Sequence, residues 1–353
     1  MKRAVSISIG SSKRDKAVEL ELLGETVLIE RIGTDGSMEK AAQMYRELDG
    51  KVDAFGVGGT DLGLMVGDRW YPLHSVGPMV RFVKQTPLVD GTGLKSTLER
   101  RVVAYMKSKI DGYIREKKVL ITTGVDRWGM SEAFDRGGYE MVLGDLMFAL
   151  GIGMPVRSLV GLKRLAAIMM PVAGRLPFSW VYPTGEKQEK RIPKWEKYYQ
   201  WASVIAGDCH YIRRHMPDRL EGKVVVTNTT TPEDVDLFRQ VGIRYLVTTT
   251  PVLQGRSFGT NMMEAALTAY AEAAGPMGPI LRAFGPAEVR DWARGLGQEV
   301  FTGASGRVFP VAMKASPLLR EWMGRLGGMG VELRVRHRWI GWEDGGFVFE
   351  TPE

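Results

Sequence analysis

The chain has 353 residues, a formal net charge of +7, 44% hydrophobic and 25% charged residues. That balance is ordinary for a folded globular protein and suggests two or three domains, at roughly 100–200 residues each. The single cysteine, Cys209, excludes an intramolecular disulfide and a cysteine-based metal cluster, and the basic residues are interleaved with acids, as in KSKIDGYIREKK, so a nucleic-acid surface is not expected.

The first hundred residues read as a compact α/β unit. Met1-Lys-Arg runs directly into a strand over Val5–Ile9, with no leader visible, and a reducing cytoplasm is the expected compartment. Ser11-Ser12-Lys13-Arg14 follows that strand and could meet an anion, with Ser11 and Lys13 as ligands, or simply form an exposed turn. A hairpin is expected over Val18–Leu23 and Thr26–Ile32. Ser37 can cap a helix over Met38–Leu48, whose apolar face is Met38, Ala41, Ala42, Tyr45 and Leu48. A strand at Val52–Val57, a hairpin over Leu62–Val66 and Arg69–Leu73, a short helix near Met79–Lys84 and a strand at Pro87–Val89 complete the region.

Asp90-Gly-Thr-Gly-Leu-Lys95 then opens a long helix reaching about Lys109. A lysine in the first helical turn runs against the helix dipole, which favours anions there. Lys95 is therefore a candidate acid/base group if its surroundings lower its pKa, with Asp90 to orient it; a solvated surface lysine fits the pattern equally well.

Lys118–Asp145 reads as strand, turn, helix, turn, strand and acid. Val119–Thr123 is a β-branched run typical of a buried parallel strand, Gly124 and Gly129 bracket a loop, Met130–Arg136 has helical spacing, and Tyr139–Leu143 is the second strand. Asp145 stands about 20 residues beyond the loop, where a dinucleotide-binding unit keeps the acid that holds a ribose hydroxyl. The expected cofactor contacts are Gly124, Asp126, Arg127, Gly129, Met130 and Asp145, with phosphate at the helix N-terminus. The loop is G-x-x-x-x-G rather than G-x-G-x-x-G, so a plain βαβ unit without nucleotide fits as well.

Val156–Ala173 is a basic and apolar helix that Pro171 should cut. Its apolar stretch Leu165–Val172 is too short to cross a bilayer, and no membrane partner is expected. Strands at Ser203–Ala206, Lys223–Thr227 and Arg244–Thr248, with helices at Tyr211–His215 and Pro232–Val241, continue a doubly wound parallel sheet. Ligands of such sheets lie beyond the carboxyl ends of the strands. That adds Asp208, Thr249 and Thr250 to the cofactor candidates, although Asp208 also suits a helix cap. Asp208-Cys-His210 offers no zinc site, because His210 and His215 are five apart with no acid at ligand spacing. The loop GRSFGTN enters a helix at Met262–Glu272 and suits an anionic or hydroxylated ligand through Arg256, Thr260 and Asn261. Gly275-Pro-Met-Gly-Pro279 marks a boundary.

The segments IGSSKRD, GTDG, DGTGLKSTLERR, GVDRWGMSEA, GDLMFALG, YPTGEKQE, VIAGDCHYIRRHMP and GRSFGTN together resemble a bacterial quinate 5-dehydrogenase family, a distant relative of shikimate and quinate dehydrogenases, over about residues 1–274. The resemblance implies an NAD(P)-dependent alcohol dehydrogenase acting on a cyclic polyol acid, with Lys95 as the matching lysine; Asp145 favours NAD over NADP, because a 2′-phosphate would meet its carboxylate. The family's N-T-D aspartate and G-A-G-G loop are absent, which leaves Asp90 as the substitute acid. FGPAEVRDWARGLGQEVF and the segments after it, over Leu281–Pro352, resemble an internal piece of BaiN-type FAD-dependent oxidoreductases. The FAD loop of such proteins is missing, so FAD is not expected. The tail itself reads as helices at Pro286–Gly295 and Ser316–Leu326 and a hairpin over Val331–Trp342 and Gly346–Thr351.

The expected architecture is α/β: a Rossmann-like doubly wound domain at 110–274, an N-terminal α/β substrate domain at 1–109, and a small α+β appendage at 275–353. The expected partner is a small, anionic substrate; a homo-oligomer is compatible with this reading. The alternative is a non-catalytic protein that senses a nucleotide or metabolite.

Overall fold

A computed structural model describes residues 1–22, 24–110, 112–176, 191–253, 255–274, 286–302, 308–343 and 346–351. The chain forms two compact units, Met1–Gly275 and Pro276–Glu353. The YPTGEKQE segment and the Gly275–Pro279 stretch lie outside the described residues.

The fold of the first unit is α/β, built on two sheets. The first holds β1 (Lys2–Ser8), β2 (Lys16–Leu22), β3 (Glu25–Gly33), β4 (Ala54–Gly58) and, beyond the small hairpin of β5 (Gly63–Val66) and β6 (Arg69–Pro72), β7 (Leu88–Val89). Their order is β2-β3-β1-β4-β7, with only β2 antiparallel to its neighbour. Ala4 to Ser8 are all buried because both faces are covered. The Met38–Leu48 helix covers one face, and its Tyr45 hydroxyl donates to the Gly56 carbonyl at 3.0 Å. The other face is covered by the Thr260–Ala274 helix through Met262, Met263, Ala265, Ala266 and Ala269. That helix was expected to belong with the second sheet. Gly56 permits its close approach: a Cβ there would lie 2.9 Å from the Asn261 carbonyl oxygen.

The second sheet holds β8 (Lys118–Ile121), β9 (Glu140–Leu143), β10 (Val204–Ala206), β11 (Val224–Thr227) and β12 (Tyr245–Thr248), all parallel. Their spatial order β12-β11-β10-β8-β9 is 2-1-3-4-5 in chain order, one of the two common doubly wound arrangements. Val119, Leu120 and Ile121 are fully buried, alternately against the Trp128–Arg136 helix on one face and the Cys209–His215 helix on the other. In this order the connections switch sides between β8 and β10, and a crevice opens at their carboxyl ends.

Several local expectations change. The helix expected at Met79–Lys84 is a shorter turn at Gly77–Val80. The long helix after Asp90 is two helices, Thr92–Leu98 and Val102–Ile110, joined by a 3-10 turn at Glu99–Arg101. Pro171 does not cut its helix, which runs Leu159–Ala173 through the proline. A helix at Glu196–Trp201 was not foreseen.

The second unit has helices at Pro286–Gly295 and Ser316–Gly328, an unforeseen hairpin at Val300–Thr302 and Val308–Pro310, and a hairpin of Arg338–Glu343 with Gly346–Glu350. Trp292 and Trp322 meet edge to face at 5.8 Å. Among the described residues of this unit only Ala293 and Leu296 are buried hydrophobics, a thin core. No helix among the described residues of the chain is long and apolar enough to cross a membrane.

Candidate functional site

A cavity of about 330 Å³ lies inside the first unit, where the loops after β1, β4, β8, β10 and β11 meet the start of the Thr92–Leu98 helix. Its size is at the lower end of the range of about 300–1,000 Å³ usual for small-ligand sites. Of the expected residues, Asp90, Lys95, Asp126, Arg127, Asp145, Asp208, Ser11, Arg256, Thr260 and Asn261 line it.

Lys95 is the centre of one wall. Gly91 adopts φ +92°, which turns the chain into the helix, and the Lys95 amide donates to the Gly91 carbonyl at 2.9 Å. Its ammonium donates to Asp61 at 2.6 Å and to Asp126 at 2.9 Å. Asp90 does not orient it, contrary to expectation. The Asp90 carboxylate instead accepts the amides of Leu62 and Thr92, at 2.8 and 3.0 Å, and holds the β4 loop and the helix start together. Burial opposes the charge on Lys95, but Asp126 and Asp61 outweigh it and hold its pKa above the usual lysine value. Lys95 therefore stays charged, not neutralised as a lowered pKa would have required. Burial pushes Asp61 up to about 8, so the group poised to exchange a proton near neutrality is Asp61. Asp126 goes the other way: Lys95 and Arg127 overcome its burial and hold it below the carboxylate range.

Arg127 carries this charge cluster into the core. It reaches Glu99 at 2.8 Å, Asp126 at 3.0 Å and Asp208 at 3.1 Å. The 3-10 turn at Glu99 serves to present that acid, which is fully buried. Asp208 also caps the Cys209–His215 helix, accepting the His210 amide at 2.9 Å, so the capping and site roles coexist.

The β8 loop departs from the expected phosphate cradle. Asp145, the first residue of a helix at Asp145–Leu150, accepts the amide of Gly124 at 3.0 Å and that of Val125 at 2.8 Å. The acid expected on a ribose hydroxyl is spent on the N–H groups expected to meet phosphate. Burial nevertheless pushes Asp145 up to about 6. Gly129 and Met130 do not line the cavity. A Cβ on Gly129 would meet the Lys95 carbonyl oxygen at 2.9 Å, so this glycine lets two helices pack, and Met130 is core. Gly124 lies outside the cavity lining, as do Thr249 and Thr250; Thr250 donates to the Phe258 carbonyl. Lys13 is exposed and away from the cavity.

Polar atoms without a partner among the described residues remain at the crevice. The Thr123 hydroxyl and the Arg214 Nε are buried and without a partner among the described residues, and both residues line the cavity. Gly207, at φ +133°, brings the β10 backbone so near Thr122 that a Cβ would lie 2.3 Å from its hydroxyl. A ligand there would find these donors ready, whereas the loop amides become available only when Asp145 moves.

Across the cavity, Arg14 contacts the His210 ring through Nη1, with His210 Nε2 as acceptor, and donates to the Thr229 carbonyl at 3.0 Å. Burial and Arg14 lower the His210 pKa to about 4, so the ring is neutral. Arg31 and Arg256 face the same space. Asp61, Glu99 and Arg31 were not foreseen, whereas Arg14 closes the Ser11–Arg14 stretch expected to meet an anion. Asp61 follows β4 and Gly58-Gly59, so the strand-end rule that selected Asp208 could have found it. No group of three or more His, Cys, Asp or Glu suited to a metal ion occurs among the described residues.

A family model described as a domain of unknown function (DUF8754) matches residues 93–279, and a second (DUF8753) matches residues 3–90. No curated protein matches. Among solved structures, the NAD-dependent malic enzyme of Thermotoga maritima is similar at 12% identity and a TM-score of 0.32, covering 91% of this chain and 83% of that one. The ornithine transcarbamoylase of Giardia lamblia is similar at 8% identity and a TM-score of 0.29, covering 77% and 85%. Scores this low carry no functional argument.

Proposed function

We propose that this chain, which belongs to the DUF8754 family by a match over more than half its length, is a nicotinamide-dependent oxidoreductase acting on a hydroxyl of a small anionic substrate. The observation that carries this reading is the Asp61–Lys95–Asp126 triplet at the cavity wall beside the doubly wound sheet. The Lys95 ammonium would donate to the substrate oxygen and stabilise its developing negative charge. Asp61, within 2.6 Å of Lys95, would take up the hydroxyl proton through it, and Asp126 would hold Lys95 in place. A bound nicotinamide dinucleotide, NAD or NADP, would supply the hydride acceptor, held at the β8/β10 crevice by Thr123, Asp208 and Arg214. The quinate-like substrate class belongs to this proposal through the resemblance described above.

Fluorescence titration with NADH and NADPH tests the cofactor, and absence of saturable binding of either removes the oxidoreductase reading. On a substrate found by screening hydroxy acids, Lys95→Met should lower kcat about 10²–10⁴-fold, the usual worth of acid/base groups. The oxidation rate should rise with pH through about 8 as Asp61 loses its proton, and Asp61→Asn should abolish that rise.

One observation favours a second reading, a metabolite sensor: the loop amides are engaged by Asp145 rather than free for phosphate. Saturable ligand binding with no turnover on any hydroxy acid would select it.

A further inference from the structure

We propose that Arg14, Arg31 and Arg256 form a clamp for a dianionic phosphate group, so that the ligand of this cavity is a phosphate ester rather than a simple carboxylate. The three guanidiniums come from distant parts of the chain, the loop after β1, strand β3 and the GRSFGTN loop, and all face the cavity. Arg256 also donates to the Arg14 carbonyl at 2.9 Å, which ties two of these segments together.

The charge balance favours a dianion. Arg31 has its own acid, Asp15, at 2.8 Å. Asp234 is the nearest acid to Arg14, at 3.8 Å, but it is already paired with Arg213 at 2.7 Å. Arg256 makes no ion pair among the described residues. Arg14 and Arg256 are therefore left without a contacting carboxylate that is theirs alone, although Asp234 and Glu233 act on Arg256 from farther off; a phosphate brings this pair two charges where a single carboxylate brings one.

The clamp is also pre-formed. Arg31 is held by the Ser8 hydroxyl at 3.0 Å and the Ser11 carbonyl at 2.9 Å. Arg14 is held by His210 and the Thr229 carbonyl, and its Nε is buried without a partner among the described residues. Consistent with crowded like charge, burial together with Arg14 and Arg256 lowers the Arg31 pKa to about 10, with Asp15 acting against them. A chain of contacts runs Lys95, Asp126, Arg127, Asp208, His210, Arg14. It links the clamp to the acid/base triplet in the lining of one cavity, so a single ligand carrying a hydroxyl and a phosphate could meet both.

The proposal rests on the reading of this cavity as a ligand site, and its test does not depend on turnover. Calorimetric titration of the full chain at fixed ionic strength compares inorganic phosphate with acetate. Phosphate should bind saturably and acetate at least tenfold more weakly. Arg256→Gln and, separately, Arg14→Gln should each weaken phosphate at least tenfold, with Arg256→Lys, which retains charge, losing less. Thermal unfolding of each variant shows that the fold is intact. NADH and NADPH titrations with and without saturating phosphate identify the source. Weakening of NADPH alone assigns the clamp to a ribose phosphate, weakening of both to the pyrophosphate, and weakening of neither to the substrate. Equal affinity for acetate and phosphate, or phosphate binding unchanged in both glutamine variants, overturns the clamp. Absence of binding of either dinucleotide even without phosphate would remove the oxidoreductase reading while leaving the phosphate result standing.

Discussion

Replacing Arg127 by methionine should destabilise the first unit in a way that depends on pH. Arg127 serves three acids, but they lose it unequally. Asp126 keeps Lys95 at 2.9 Å, and Asp208 retains 23% side-chain exposure, whereas Glu99 has none. Breaking a buried pair from one side costs about 3–5 kcal/mol when the remaining charge stays. Glu99 has a cheaper route: it takes up a proton. Starting from an ordinary value near 4.3, protonation at pH 7 costs about 3.7 kcal/mol, at 1.36 kcal/mol per unit. At pH 5 the same step costs only about 1 kcal/mol. Burial already pushes Glu99 upward with Arg127 present, so these figures are ceilings. In the variant the folded pKa of Glu99 lies well above its unfolded value. Its stability contribution is thus intact at low pH and is lost as the pH rises through the folded pKa. Urea unfolding at pH 7 and pH 5 should show a deficit up to about 3.7 kcal/mol that shrinks by as much as about 2.7 kcal/mol at the lower pH. Glu99→Gln in the same chain should recover most of it. A deficit below about 1 kcal/mol at pH 7, or equal deficits at both values, would refute the assignment of the loss to an unpaired Glu99.

His210 titrates in the opposite sense. Its folded pKa of about 4 is below the usual 6.5, so stability is present above 6.5 and falls between there and 4, by at most about 3.4 kcal/mol. His210→Asn should flatten that part of the pH–stability curve, and an unchanged slope would place it elsewhere. Gly129→Ala should cost about 1–3 kcal/mol, because a Cβ 2.9 Å from the Lys95 carbonyl must push the two helices apart. A gain in melting temperature, as helix propensity alone would give, would show that the contact yields. Asp145→Ala frees the Gly124 and Val125 amides, and inorganic pyrophosphate should then bind more tightly by calorimetry; unchanged affinity would remove the loop as an anion site.

The second sheet was legible because strands buried on both faces leave unbroken apolar runs, as at Val119–Ile121 and Val224–Val226. Lys95 was legible for a different reason, its conflict with the helix dipole. Its partners were not. The local candidate was Asp90, five residues away, while the acids that hold it stand 34 and 31 residues away. Such pairings are set by how β4 and the β8 loop come together, which no spacing reveals. Asp145 was correctly placed just after β9, yet spacing locates a carboxylate without saying which donors it will meet. Glu196–Trp201 escaped notice because six residues, one and a half turns, are too few to establish a period. Arg14 and Arg256 stood in separate stretches expected to meet anions, but Arg31 and the convergence of a loop, a strand and a segment beyond residue 250 on one space were hidden by distance in the chain.

The return of the Thr260–Ala274 helix to the first sheet has a consequence for synthesis. Until residue 274 has left the ribosome, Ala4, Val27, Ile29 and Ala54 have no cover on that face. The earliest-made strands are therefore among the last to be completed, and loop closure over some 250 residues must precede their burial. The nascent chain exposes an apolar sheet throughout, a state open to misassociation with other chains and to chaperones. A chain truncated before residue 260 would keep every strand of the second sheet while its first sheet lacks this cover.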